Sequence, residues 1–466
     1  MQVTSQQFKE AAARKLQDPN LRKSLGGLRD RMVAGRARAA TEVGNFEELR
    51  EAGKQARDHA LAHLDHYLEL FERNATAKGA QVHWAEDARQ MNELVLQIAQ
   101  RAQVRKVIKS KSMLGEESGL NAFLIQAGIE VRETDLGEYI IEQSGDKPSH
   151  IIAPAVHKTR DEVSDLFHEK HKLPRKSDIT ELTREARTML RPHFLTADMG
   201  ITGANFMVAD TGTTVIVTNE GNGRMSTTMP RVHVAIAGIE KIIPTLEDVS
   251  LLLRLLTRSA TAQTISNYLT FTTGPKRAGD SDGPEEFHII IVDMGRTRVL
   301  GSELREALRC IRCGACMNHC PVYQNIGGHP YGWVYPGPIG SVMTPAYAGL
   351  EKAIDLPNAA TLCNQCGVVC PVKIPLPDLM RKLRERQVQT GLWPWQERWG
   401  LKLWTYAATR PRLYGLLTAL AARAGRWLGG KDRLLHRLPG GEWTRERDMP
   451  APTGKTFREL YAERRG

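Results

Sequence analysis

All seven cysteines of the 466-residue chain fall into two short runs. The first is Cys310-Ile-Arg-Cys313-Gly-Ala-Cys316-Met-Asn-His-Cys320-Pro321, and the second is Cys363-Asn-Gln-Cys366-Gly-Val-Val-Cys370-Pro371. The first has the C-x2-C-x2-C-x3-C-P spacing of ferredoxin-type iron–sulfur ligands. Three thiols at that interval wrap one cluster, and the fourth faces away, with proline ending any helix behind it. In two-cluster ferredoxins the fourth cysteine of each run serves the other cluster. The same crossing here gives Cys310, Cys313, Cys316 and Cys370 to a first [4Fe-4S] centre. It leaves Cys320, Cys363 and Cys366 for a second, whose fourth ligand is missing because Ala360 stands where the first run has Cys310. The second centre is therefore a [3Fe-4S] cluster or a [4Fe-4S] cluster with a non-cysteine ligand. Disulfides fit this clustering poorly. Zinc also uses C-x2-C pairs, but the x3 interval and the prolines speak against it.

Adjacent clusters relay single electrons. No base, nucleophile or hydride acceptor is evident beside them, so the cysteine module moves electrons without itself transforming a substrate. A second candidate site is Thr218-Asn-Glu220-Gly-Asn222-Gly223-Arg224, a glycine-rich turn after an expected strand. Such turns at the carboxyl ends of strands are where open α/β sheets bind ligands. Glu220, Asn222, Gly223 and Arg224, together with Lys109 after another strand, make a possible ligand pocket. The alternative is an ordinary turn with a surface ion pair. G-x-G-x-x-G is absent from this turn, so no dinucleotide fingerprint is present. His168-Glu-Lys-His171 has the wrong interval for H-E-x-x-H and reads as a solvated polar segment.

The elements that position these groups divide the chain into four parts. Residues 1–79 read as helical: Asn45 with Glu48 is an N-terminal capping signature, and Leu61, Leu64, Leu68 and Phe71 recur at helical spacing. Over 80–296, helices alternate with apolar strands at Val104–Ile108, Ile129–Arg132, Phe206–Ala209, Val215–Thr218, Val232–Ile236 and Phe287–Val292. This alternation predicts an α/β domain with a mostly parallel sheet. Residues 297–391 form a Gly/Pro-rich, α-helical ferredoxin-like domain. Residues 392–466 are an Arg/Trp-rich helical extension.

Composition is that of a globular protein, 41% hydrophobic and 25% charged. The start Met-Gln-Val-Thr-Ser is not followed by an apolar stretch, so no secretory signal is expected. The longest apolar run, Leu413–Ala422, is short of the ~18 residues of a membrane span. Both observations predict a cytoplasmic location. The net charge of +11 is concentrated towards the two ends. Nucleic acid is not expected, since aromatic–basic binding motifs are missing. A solvated face, an acidic partner or peripheral contact with an anionic membrane fits the charge instead.

Several motifs resemble the lactate utilisation protein B family, the iron–sulfur components of the bacterial lactate-utilisation system. They are Lys109-Ser-Lys-Ser-Met113, Glu133-Thr-Asp-Leu-Gly-Glu-Tyr139, Pro148-Ser-His-Ile-Ile-Ala-Pro154, Asn219-Glu-Gly-Asn-Gly-Arg224, Gly274-Pro275 with Asp282-Gly-Pro284, and both cysteine runs. The resemblance extends into the Arg/Trp-rich tail. It implies a first domain sharing the fold of ribose-phosphate isomerase and CoA-transferase-like proteins. It also implies an electron-transfer role, without catalytic residues of its own, alongside two sister subunits. Together these would oxidise L-lactate to pyruvate without NAD and pass electrons to an acceptor. Alternative readings are a relay for another hydroxy-acid oxidoreductase, or a small-acid- or nucleotide-binding enzyme with structural clusters.

Overall fold

The computed structural model describes residues 2–266, 268–438, 444 and 447–465, which form two compact units, 1–387 and 388–466. The first is built on a six-stranded sheet. Its strands are β1 (Gln81–Ala85), β2 (Lys106–Lys109), β3 (Glu130–Glu133), β4 (Met199–Gly203), β7 (Val232–Gly238) and β10 (Glu286–Val292). Between these in sequence lie β5 (Phe206–Val208), β6 (Thr213–Thr218), β8 (Ile242–Ile243) and β9 (Tyr268–Thr272), which make a smaller mixed sheet in the order β8-β5-β6-β9. The large sheet runs β1-β10-β7-β4-β2-β3, with every pair parallel. A mostly parallel α/β domain is therefore present.

The central strands are apolar on both faces, as a parallel sheet covered by helices requires. Along β7, Val234 and Ile236 pack with Met91, Val95 and Leu124 of the helices on one face. Ala235 and Ala237 alternate to the other face, against Leu64, Leu68 and Phe71. Side-chain caps start the flanking helices: Asp87 and Asp135 accept from the N–H three residues on, and Thr159 forms a capping box with Glu162. Asn45 does precede the helix Phe46–Ala62, but its side chain makes no capping hydrogen bond.

Four strands of these sheets carry no legible signal, the two-residue β8 among them. β1 and β9 are short, mixed-polarity edge strands of their sheets. β4 contains two glycines, which weaken a strand pattern. The structure explains Gly200: a Cβ there would lie 1.8 Å from the Ser226 carbonyl oxygen.

The helical N-terminal region is shared between two bodies. Its last helix, Leu64–Ala77, covers the sheet. The preceding helices bond to the cysteine-bearing segment, and Ala34–Val43 and Phe46–Ala62 also pack on the sheet domain's helix Leu246–Thr261. The Thr4 N–H donates to the Gly332 carbonyl (2.8 Å), the Ser5 hydroxyl to that of Tyr331 (2.6 Å), and the Arg36 guanidinium to that of Val369 (2.8 Å). The second unit contains helices Trp395–Ala408, Pro411–Leu428 and Phe457–Arg465. Trp395, Trp399, Trp404 and Trp427 are all exposed. No described helix is long and apolar enough to cross a membrane.

Candidate iron–sulfur centres and an adjoining cavity

All seven cysteines are free thiols, and folding collects them into two groups. Cys310, Cys313, Cys316 and Cys370 line one small cavity together. Burial, then repulsion from Cys370 and Cys310, pushes Cys313 up to about 12. Cys316 is raised further by burial and by Cys313, Cys310 and Cys370. Cys320, Cys363 and Cys366 form the second group; burial and then Cys320 lift Cys366 to about 12. Crowded, buried thiols of this kind are the donor set that a cationic metal centre neutralises, so the residues fit iron–sulfur clusters. Backbone N–H groups already point at sulfur, Arg312 at Cys310 Sγ (3.4 Å) and Ile374 at Cys370 Sγ (3.3 Å).

The two runs share a backbone shape as well as a spacing. Arg312 and Gly314 have φ of 61° and 72°, and the matching Leu362 and Asn364 have 55° and 64°. L-residues rarely adopt the left-handed region, so its recurrence at corresponding positions marks a true structural repeat. A short helix follows in each run, Ala315–Asn318 and Gln365–Val369. On this alignment Ala360 occupies the place of Cys310. The two groups differ most at one thiol: Cys363 and the rest of 361–365 are exposed, whereas Cys310 and Cys316 are half-buried and Cys313, Cys320, Cys366 and Cys370 are buried.

The Pro148–Pro154 segment clamps the first group to the sheet domain. His150 Nε2 pairs with Asn318 Oδ1 (3.0 Å), and its Nδ1 accepts the N–H groups of Ile152 (3.0 Å) and Ala153 (3.1 Å). Burial holds this imidazole down at about 4, hence neutral. Tyr323 donates to the Ser149 carbonyl (2.7 Å), and Gly328 N–H to the Ser149 hydroxyl (3.0 Å). From the other side, Arg50 donates to the Cys370 carbonyl from Nε (3.0 Å) and Nη2 (2.8 Å).

Beneath the first group lies a buried charge network. Arg296 bonds Glu240 Oε2 (2.7 Å) and Glu117 Oε1 (2.9 Å), while Arg312 reaches Glu240 Oε1 (3.4 Å) and the Tyr335 hydroxyl (3.2 Å). Burial works against the Glu240 carboxylate, but Arg296, Lys241 and Arg312 hold it down at about 2. Arg312, between Cys310 and Cys313, thus joins the thiols to the end of β7.

A cavity of about 820 Å³ opens at the carboxyl ends of the strands. Ser110–Ser112 after β2 and Gly203–Asn205 after β4 line it. The chain passes from β2 to β3 on one side and continues with β4 on the other, so the cavity sits at the switch point of the sheet. Of the residues expected to make a ligand pocket, only Glu220 borders it. Burial, then Asp135, raises that carboxyl to about 7. Lys109 is turned inward and paired with Glu133 (2.7 Å) and Glu116 (3.2 Å). Gly223 serves packing, since a Cβ would meet Thr218 Cγ2 at 3.0 Å. Asn222 is buried in the following helix, and Arg224 is exposed. The cavity wall instead includes Lys111, Lys241 and Arg312. Lys241 follows β7 in a short 3-10 turn, and no sequence motif flagged it.

The His168–His171 segment is only half solvated. His171 is buried between Glu185 (2.7 Å) and the Tyr139 hydroxyl (2.9 Å), while His168 is exposed. Asp146, His157 and His329 bring possible ligand atoms within 4.8 Å of one another. The Lys158 ammonium, 3.2 Å from Asp146, already neutralises that carboxylate.

Comparison with known proteins matches the LUD domain over residues 68–292, the 4Fe-4S dicluster domain over 306–374, and "Lactate utilisation protein B, C-terminal" over 381–466. Fold and thiols together therefore define an iron–sulfur protein that joins a LUD domain to a 4Fe-4S dicluster domain. A Bacillus licheniformis "Lactate utilization protein B" is 42% identical over 100% of this chain and 98% of its own. An Escherichia coli "Uncharacterized electron transport protein YkgF" is 43% identical over 99% of this chain and 97% of its own. The chain belongs to the lactate utilization protein B family. A crystal structure of a duf162 family protein from Deinococcus radiodurans, 16% identical, covers 49% of this chain and 98% of its own at a TM-score of 0.28.

Proposed function

We propose that the chain is the iron–sulfur electron-transfer subunit of an NAD-independent complex that oxidises L-lactate to pyruvate. The observation that carries this reading is the collection of seven free thiols into two neighbouring groups in a member of this family. We assign Cys310, Cys313, Cys316 and Cys370 to one cluster and Cys320, Cys363 and Cys366 to the other. When bound, such clusters store and pass single electrons. The chain's own residues set the surroundings of each. Arg36 and Arg50 fix the carbonyls at Val369 and Cys370, and Arg312 separates the first group from the cavity. The group without an exposed thiol is the inner station, and the group that includes the exposed Cys363 is the outlet to a partner. A cytoplasmic, reducing setting suits seven unpaired thiols. We also assign the sheet domain the fold of ribose-phosphate isomerase and CoA-transferase-like proteins, which its parallel sheet supports.

Sister subunits and an acceptor complete the complex. The basic stretch from Arg381 to Arg386, a docking candidate by its charge, is partly committed within the chain. Arg384 donates to the Pro357 (2.9 Å) and Ala360 (3.1 Å) carbonyls, and Arg381 and Arg386 pair with Glu385 and Glu303. The exposed tryptophans of residues 388–466 are the better docking candidates, because exposed aromatic surface marks contact sites. The pure chain with its clusters is expected to show no sustained lactate-dependent dye reduction until sister subunits are added. Turnover by the single chain would refute the relay role.

Ala360→Cys tests the second centre. If that centre is [3Fe-4S], the new thiol is expected to raise iron by about one atom per chain and replace the oxidised-state EPR signal with a reduced-state cubane signal. An unchanged spectrum would mean that the site already holds a fourth ligand or cannot admit one.

A further inference from the structure

On the cavity wall, Lys241 is a cation without a hydrogen bond or ion pair to any described residue, and Glu240 balances its charge only from longer range. The residue is half-buried. Its nearest charged neighbours are Arg312, Glu240, Cys310 and Arg57, and Glu240 is already held by Arg296 and Arg312. Arg57 is spent on the carbonyls of Ile242 (2.9 Å) and Leu308 (3.0 Å). A half-buried ammonium that lines a cavity without a hydrogen-bonding partner is placed to receive an anion.

Three features narrow the anion. The cavity lies at the strand ends, where α/β sheets bind small molecules, and its volume of about 820 Å³ is in the usual range for ligand sites. The wall also carries Asp135 and Glu220, whose carboxyl oxygens offer acceptors for a ligand hydroxyl, a group that inorganic phosphate does not present beside a single carboxylate. Finally, Arg312 and Ile151 line both this cavity and the one enclosed by Cys310, Cys313, Cys316 and Cys370. A molecule held at Lys241 is therefore separated from the first thiol group by little more than a side chain.

We propose that the cavity binds a small monocarboxylate, the 2-hydroxy acid or 2-oxo acid of the reaction proposed above, with the Lys241 ammonium as its counter-ion. The choice of acid rests on that reading; the site rests on the cavity and its unpaired cation. It places one substrate-side binding site on this chain, beside the inner relay station, rather than wholly on a sister subunit.

The test uses the full chain, purified anaerobically with its iron, and titrates pyruvate and L-lactate by calorimetry. Saturable binding of at least one is expected, weakened tenfold or more in Lys241→Met and partly kept in Lys241→Arg. Inorganic phosphate and NAD should not compete at equal concentration. In the unaltered protein, the same acid should shield Lys241 from acetylation by acetic anhydride, read by mass spectrometry, which settles the matter even where Lys241→Met loses iron or misfolds. Absence of binding, binding unchanged in Lys241→Met, lack of shielding, or equal competition by phosphate or NAD would each overturn the proposal. Iron content and dithionite-reducible EPR signals, measured on the same samples, report on the relay role separately.

Discussion

Cys370→Ser and Cys310→Ser are expected to lose the same iron–sulfur centre and to keep the other, although 60 residues separate them. Both thiols line the cavity shared with Cys313 and Cys316, and none of Cys320, Cys363 and Cys366 does. Either change should lower iron by about four atoms per chain and remove one set of reduced-state EPR features. Cys363→Ser should remove the complementary set. The crossing would be wrong if Cys370→Ser spared the centre lost in Cys310→Ser. Because Cys370 is also tied through its carbonyl to Arg50, Arg50→Met offers a milder form of the same experiment. A charged hydrogen bond of this kind contributes about 1.5–3 kcal/mol, so the first centre should persist but become more labile to oxygen and chelators.

The second large effect lies beneath that centre. Arg296→Met leaves Glu117 and Glu240 facing each other in the interior without their shared cation. Breaking a buried pair from one side costs about 3–5 kcal/mol, which should lower the urea midpoint of the sheet domain by an easily measured margin. Its pH dependence follows from the Glu240 carboxyl, held at about 2 in the fold against an ordinary 4.5. A depressed carboxylate contributes stability that is complete above its unfolded pKa. That contribution, roughly 3 kcal/mol, is lost as pH falls from about 4.5 towards 2. The unaltered protein should therefore lose stability across that window, and Arg296→Met should show a flatter profile there. Identical acid profiles would remove Glu240 from the account.

The cysteine runs were legible because metal ligation needs fixed thiol intervals, and a spacing survives whatever the rest of the fold does. The parallel sheet was legible where strands are buried on both faces, as in β7 and β10, and at the edge strand β3, but silent at the mixed-polarity edge β1 and the glycine-bearing β4. The cavity was half legible. Glu220, expected from its glycine-rich turn, borders the cavity, whereas Lys109 does not. As the strand's last side chain it points inward to Glu133, and Lys111 two residues later reaches the opening. Lys241 left no trace in the sequence, since a lone lysine after a strand becomes notable only once its partners prove to be occupied. The seam at Ser149 and His150 was likewise visible only as a family motif, because its partners lie 168 or more residues away.

The Arg50–Cys370 tie has a consequence for biogenesis. The two residues are 320 positions apart, and the first thiol group lacks its fourth member until Cys370 has left the ribosome. At bacterial elongation rates of about 5–20 residues per second, the N-terminal helices wait roughly 16–64 s for the surface they cover. During that interval Arg36 and Arg50 lack the Val369 and Cys370 carbonyls they bind in the fold. The first thiol group is therefore completed only late in synthesis, once residue 370 has emerged.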